Sequence, residues 1–335
     1  MKKRGIGIAC MQYSNGGTAY PNPSAVFVKI NEDGSAVVLT GITDVGQGSA
    51  TVFSQMAAEA LGLPLEKVGI VYADTKGTPF DFGTVASRVT YIAGKALLIA
   101  CKDALDTVLE VASKELHVNK DSLIVEDGVI MMEGYPALSM PMQEAALKSY
   151  KIYGKPPIGK GSFNPLTTFV DAEKGQGKPF DVFVYAAQVA EVEVDTETGV
   201  VEVLKIYAAH DCGVPINPSF AEGQVFGGIH MGFGYATMEE ILWSQDGQMV
   251  NPQLTDYMIP TALDMPELEC HLITDPEPTG PFGAKGIGEP SLLPTAPAIL
   301  NAIYDAVGVR LYELPVTPEK VFWALREKEK MEQSV

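Results

Sequence analysis

Cysteine is scarce and scattered in this chain. Cys10, Cys101, Cys212 and Cys270 stand far apart with no CxxC pair. That spacing argues against an iron–sulfur cluster, a structural zinc site or a disulfide framework within the chain itself. The histidines His117, His210, His230 and His271 also lack metal-ligand spacing. Positive charge is short as well: 24 Lys and Arg face 42 Asp and Glu, a net charge of −18. Nucleic acid and anionic membranes are polyanions, so both are excluded as expected partners. No stretch approaches the roughly 20 apolar residues of a membrane span. The basic opening MKKRGIGIACMQYSNG has no apolar run of signal length. No internal repeat is visible. These absences lead us to expect a soluble, cytoplasmic protein.

What is present fits a folded chain large enough for two domains or one large α/β body. It has 335 residues, 46% hydrophobic and 20% charged. Thirty-three glycines and 23 prolines imply many loops. Arg4 to Ala9 alternates like a strand and runs into the loop Tyr13-Ser14-Asn15-Gly16-Gly17-Thr18. Residues 25–30 and 36–40 read as a hairpin. Thr43-Asp44-Val45-Gly46-Gln47-Gly48 leads into a helical pattern of Phe53, Met56, Ala57, Ala60 and Leu61. That strand, Gly-Gln-Gly, helix order suits a phosphate-cradling turn but lacks a full dinucleotide or P-loop fingerprint. A strand at 68–72 and a loop at 75–87 precede a long helix. Thr84, Ser87 and Thr90 lie around the start of that helix, either as ordinary caps or as part of an anion site. A strand pair around Asp127-Gly128 and a helix near 141–148 follow. Residues 151–180, rich in Gly, Pro and Lys, read as a long, mobile surface excursion.

The spacing predicts a second β-rich region from 181, with strands at 182–194 and 200–207. A helix starting near Ser219 carries Gln224, Gly227, Gly228, Gly232 and Gly234. Glycine costs up to ~1 kcal/mol against alanine in a helix, so these glycines imply close packing against a neighbour or a ligand. The expected division is 1–180 and 181–335, with the second part carrying a distinctive loop.

That loop is Gly283-Ala284-Lys285-Gly286-Ile287-Gly288-Glu289-Pro290. Its glycines let backbone approach a ligand. Pro290 predicts an extended Glu289. A helix follows, with Thr295 as N-cap, Pro297 in the first turn, an apolar stripe at Ile299, Leu300, Ile303 and Val307, and Gly308 as the stop. The last helix spans 318–330, capped by Thr317. A carboxylate held this way can act as a general base toward a ligand lying on backbone amides. Read alone, the stretch is also compatible with a glycine-rich turn carrying a solvated glutamate.

Four stretches in order carry a resemblance: Gly46-Gln47-Gly48, Thr84-Val85-Ala86-Ser87-Arg88, Asp211-Cys212-Gly213 with Ile216-Asn217-Pro218 and Gly223-Gln224, and Gly283 to Pro290. Together they resemble the molybdopterin-binding region of the xanthine dehydrogenase/aldehyde oxidase family of molybdenum hydroxylases, from Lys3 to about Val309. The resemblance implies an α+β, elongated mixed α/β fold equivalent to the C-terminal half of that region. The abrupt opening strand agrees with a region divided between two polypeptides, as in nicotinate dehydrogenases.

The resemblance further implies that Glu289 is the general base in hydroxylating an N-heteroaromatic ring, nicotinate foremost, with water as the oxygen source. Gly46, Gln47, Gly48, Ala86, Ser87, Arg88, Thr90, Gln224, Lys285, Gly286, Ile287 and Gly288 would contact the cofactor, with the Ala86 backbone N–H near molybdenum. Arg88 would help neutralise a pyrophosphate. Tyr13 and Thr18 would line the substrate pocket. No side chain would ligate the metal, whose terminal ligand would be sulfur or selenium. The implied cofactor is a molybdopterin dinucleotide, cytosine by expectation. The implied partners are a large molybdopterin subunit, a FAD subunit and a [2Fe–2S] subunit. A purine, aldehyde or carbon monoxide hydroxylase, or a non-catalytic scaffold subunit, stays open beside this reading.

Overall fold

Glycine decides where the first strand can lie. In the computed structural model, which describes residues 1–17 and 21–333, β1 (Lys2–Ser14) carries Gly5 and Gly7 on one face. A Cβ at either would lie 2.3 Å from the Ala302 carbonyl or 2.1 Å from its amide, so a helix presses directly on the strand. Next, β2 (Ser24–Ile30) and β3 (Ala36–Thr40) form the expected antiparallel hairpin, with alternate side chains buried. The first helix, α1 (Ser49–Leu61), ends at a left-handed Gly62, and β4 (Val68–Tyr72) then pairs parallel to β3.

A single π turn, Val89–Ala93, leads into α2 (Gly94–Leu116). No side chain caps either start, because Thr84 and Ser87 bond elsewhere. The turn at Asp127-Gly128 joins β5 (Leu123–Glu126) to β6 (Val129–Met132), and β7 (Tyr135–Pro141) completes a small sheet. After α3 (Met142–Lys151), the expected surface excursion contains a strand, β8 (Ile158–Phe163), paired to β2. Its Gly159 and Gly161 lie so close to α2 that a Cβ would sit 2.0 Å from the carbonyls of Ala100 and Ala96. These glycines serve contact rather than looseness, which is why composition misled there. Helices α1 and α2 pack on the sheet β4-β3-β2-β8 around one apolar core.

The second core lies under the sheet β1-β9-β10-β11. Its strand β9 (Phe183–Asp195) pairs antiparallel to both β1 and β10 (Val201–Asp211). Following β10, α4 (Pro218–Thr237) starts at Asn217, whose side chain accepts from the Phe220 amide. Then β11 (Glu267–Ile273) pairs parallel to β10. The helices α4 and α5 (Thr295–Val307) cover this sheet. The chain reaches α6 (Pro318–Gln333) through Thr317, whose hydroxyl accepts from the Lys320 amide. Gly308 stops α5 as expected, but Thr295 does not cap it. Thr295 is fully buried and its hydroxyl donates to Gln188 Oε1 at 2.7 Å. The fold is mixed α and β throughout. Among the described residues no helix is long and apolar enough to cross a membrane.

Candidate active site

Four stretches far apart in sequence wall one cavity of ≈ 260 Å³. The first precedes α1. Gly46 and Gly48 take left-handed φ of 104° and 81°, and their amides point to Asp44. Those amides already hold an anion, because Asp44 accepts from Gly46, Ala50 and Gly48 at 2.9, 3.0 and 3.4 Å. Burial pushes the Asp44 carboxyl up, and these three amides outweigh it, holding the pKa below its usual value. Gln47 is likewise engaged locally: its Oε1 accepts from Val45, and its Nε2 donates to the Thr43 carbonyl and Ser49 Oγ. The expected phosphate cradle is thus filled by the chain's own carboxylate.

The second stretch is 81–90. Ala86 and Ser87 both adopt positive φ, 51° and 49°. Left-handed non-glycine residues cost of order 1–3 kcal/mol and persist only where neighbours hold them. Here Arg88 holds the loop. Its fully buried guanidinium pairs with Asp81 at 2.7 Å and donates to Asn22 Oδ1, Ser24 Oγ and the carbonyls of Gly83 and Pro23. It is not placed to neutralise a pyrophosphate as expected. A fully buried arginine must satisfy its donors inside the protein, and this cage does so. Only part of Arg88 reaches the cavity wall.

The third and fourth stretches are 212–224 and 284–289. The glycine loop is held from outside itself. Lys285 N–H donates to the Cys212 carbonyl and Gly286 N–H to Asn15 Oδ1, both at 2.9 Å. Lys285 Nζ pairs with Asp211 at 2.7 Å, both side chains nearly buried. Gly286 lies so close to Ser87 that a Cβ would sit 1.9 Å from its carbonyl oxygen. Glu289 does not extend as expected. It begins a single 3₁₀ turn, Glu289–Ser291, in which the Leu292 amide bonds back to the Glu289 carbonyl.

At that turn Ser87 and Glu289 bond reciprocally. The Glu289 amide donates to Ser87 Oγ at 3.1 Å, and the Ser87 hydroxyl donates to the Glu289 carboxylate. Behind the turn, Gln188 Nε2 donates to the Ser291 carbonyl at 2.8 Å and lies 3.3 Å from His210 Nε2. Burial lowers the His210 pKa to about 4, so it is neutral in this network.

The cavity wall includes Gln47, Ser87, Arg88, Thr90, Gln224, and the run from Lys285 to Glu289. Gly46, Gly48 and Ala86 sit just outside it. Gly48 instead presses on the Phe220 ring, and the Ala86 carbonyl accepts from the Gly16 amide. Tyr13 is half-buried and is not part of the cavity wall; burial first, then the negative charge of Glu289, push its pKa up. Thr18 lies outside the described residues. The amides of Ile287 and Gly288 and the side chain of Gln224 make no hydrogen bond among the described residues. Sequence reasoning gave no role to Asn15, Asp211 or Gln188, although the first two lie in stretches it singled out. Asp211 could have been found by asking what neutralises Lys285; a loop asparagine and a strand glutamine carry no such mark.

Glycine-bearing loops and a helix start around a small-molecule cavity, with a carboxylate at its edge, define a ligand-binding α+β protein. A family profile described as the molybdopterin cofactor-binding domain matches residues 1–266, and the chain belongs to that family. It is 34% identical over 324 residues to the xanthine dehydrogenase molybdenum-binding subunit of Escherichia coli O157:H7, covering 96% of this chain and 42% of that one. The nicotine 6-hydroxylase large subunit of Paenarthrobacter nicotinovorans is 33% identical, over 94% of this chain and 38% of its own length. The crystal structure of quinoline 2-oxidoreductase from Pseudomonas putida 86 superposes with a TM-score of 0.88 at 29% identity, covering 97% of this chain and 42% of that one. The chain therefore spans about two fifths of the length of these relatives.

Proposed function

We propose that this chain is the molybdopterin-binding part of a multi-subunit molybdenum hydroxylase in which Glu289 is the general base. The observation that carries this reading is the reciprocal Ser87–Glu289 bond at the edge of a cavity whose loop is fixed from outside. A carboxylate so held can accept a proton without first reorganising.

The residues fit an anionic cofactor in part. The Ile287 and Gly288 amides and the Gln224 side chain offer donors, and Lys285 brings a cation already shared with Asp211. The cavity is smaller than the ~300–1,000 Å³ of ordinary ligand sites, which suits a cofactor shared with another polypeptide. When bound, the molybdenum cofactor supplies the two-electron chemistry of hydroxylation. The chain's own residues hold and accept a proton at Glu289, fix that carboxylate through Ser87, and keep the Ser87 loop rigid through Arg88. Glu289 and Tyr13 together form the substrate edge, and a cytosine dinucleotide form of the cofactor completes the reading. FAD and [2Fe–2S] groups on partner subunits would carry electrons away. The division 1–180 and 181–335 is part of the same proposal, with β1 of the first portion completing the sheet of the second.

An N-heteroaromatic substrate, nicotinate foremost, is favoured because nicotine and quinoline enzymes stand among the relatives. Glu289→Gln in the assembled complex is expected to lower turnover by 10²-fold or more, the usual cost of losing a general base. A fall smaller than about tenfold sinks the assignment. Turnover by the wild-type complex on nicotinate, a purine, an aldehyde and carbon monoxide selects the substrate class. Absence of molybdenum and pterin from that complex would instead favour the scaffold.

A further inference from the structure

Four of the five glycines of α4 divide into two pairs with different surroundings. Gly228 and Gly232 face inward, where a Cβ would sit 2.0 Å from Ser291 Oγ and 2.5 Å from Thr295 Cβ. These two let α4 press on the turn carrying Glu289. Gly223 and Gly227 face the other way, where a Cβ would meet nothing within 4 Å. They share that face with Phe220, Met231 and Tyr235, which are 42%, 54% and 59% exposed. At 100° per residue these positions form one stripe along the helix. The inward face is also apolar, with Val225, Ile229 and Phe233 buried in the second core. Polar side chains stand between the two faces, Glu222 exposed and Gln224 and His230 half-buried, so the outward stripe is a second apolar face of a helix that already buries one, and such a face is normally covered. Exposed glycines in a helix weaken it without local benefit, unless something approaches its backbone closely.

We propose that the stripe Phe220, Gly223, Gly227, Met231 and Tyr235 is the seat of the polypeptide that completes the molybdopterin-binding region. This rests on the reading of the chain as one part of such an assembly, and it deepens that reading by naming the surface. Two observations choose this occupant over a second copy. More than half the length of the relatives lies outside the part this chain matches, so in the assembly proposed above a large body packs on this chain. The stripe also starts at the cavity, which Phe220 and the neighbouring Gln224 both line. A body seated there closes the cavity on its α4 side. The exposed apolar run Ile241, Leu242 and Trp243 follows α4 and extends the apolar surface along the chain. The segment containing it returns to the helix flank, where Pro260 meets His230 and Gly234.

The test uses the full chain in its own complex. A photo-crosslinking phenylalanine analogue is placed at Met231, at Tyr235 and, as a control, at the exposed Leu147 of α3. Crosslinked peptides from positions 231 and 235 are expected to come from a polypeptide homologous to the unmatched part of the relatives. Crosslinks to a second copy of this chain, to an unrelated protein, or equally strong crosslinks from position 147 overturn the proposal. So does the absence of crosslinks at 231 and 235. Gly227→Leu gives an independent reading. The substitution has room in the chain alone, so thermal unfolding of the isolated chain should be undiminished while co-purification of the partner falls at least tenfold. Undiminished co-purification overturns the proposal. Molybdenum and pterin are assayed in the same wild-type complex. Correct crosslinks without cofactor mean that the functional reading fails and the surface stands; cofactor without those crosslinks means the reverse.

Discussion

Two glycine loops of similar composition border the cavity, and they are held in opposite ways. The loop at 44–50 satisfies itself: Asp44 and Gln47 take its amides and carbonyls within a few residues. The loop at 283–290 depends on Asn15, Ser87 and Cys212, and the residue after it, Ser291, on Gln188, all far away in sequence. A self-contained loop can form as soon as its own residues exist. One held from outside takes its shape only in the finished fold, but its Ile287 and Gly288 amides are then free to face a ligand. The lesson is that glycine content marks both kinds of loop equally, and only the source of their hydrogen bonds separates them.

That contrast can be broken by substitution. Gly286→Ala should do the most damage, since its Cβ would lie 1.9 Å from backbone that is itself strained. Its urea unfolding midpoint should report a loss of about 3 kcal/mol or more, at the upper end of overpacking costs. Asn15→Ala leaves the buried Gly286 amide without its acceptor and should cost about 1–3 kcal/mol in the same titration. In the self-contained loop the costs are smaller. Gly46→Ala meets no atom within 4 Å but inherits φ of 104°, a backbone penalty of about 1–2 kcal/mol. If it equals Gly286→Ala, the contrast fails.

The smallest effect is expected of Asp44→Asn, about 0.3–1 kcal/mol from the lost charge at the start of α1. It has a pH signature. The Asp44 pKa is lower folded than unfolded, so its contribution is complete above the ordinary value of 3.8. It is lost as pH falls through the lower folded value. Acid unfolding curves of wild type and Asp44→Asn should therefore converge at low pH. Curves that stay parallel would show that the Asp44 charge does not hold these amides.

The elements were legible in sequence wherever a local period or stop signal acts, as in the hairpin at 25–40, α5 with Gly308, and α6 after Thr317. The membership of four glycine and hydroxyl stretches in one neighbourhood was legible from their order. What could not be read was where each polar group spends its hydrogen bonds. Arg88 looked free to meet an anion because Asp81 is a loop residue and Asn22 lies 66 positions away. Thr295 looked like a cap because its true partner, Gln188, is on a strand 107 positions earlier. The run 158–163 looked mobile because glycine reads as looseness until a helix is known to lie against it.

The pairing of β1 with β9 has a consequence for the timing of folding. Lys2 meets Asp195, and the α5 helix that rests on Gly5 and Gly7 comes a hundred residues later still. Such distant closures are slow, because chain entropy is lost before the contacts that repay it are made. On a ribosome, β1 must wait while the residues forming the other core emerge. The Glu289 turn, braced by residues from β9 and α4, is then among the last parts to take shape, and it is the part most exposed to error if synthesis outruns assembly.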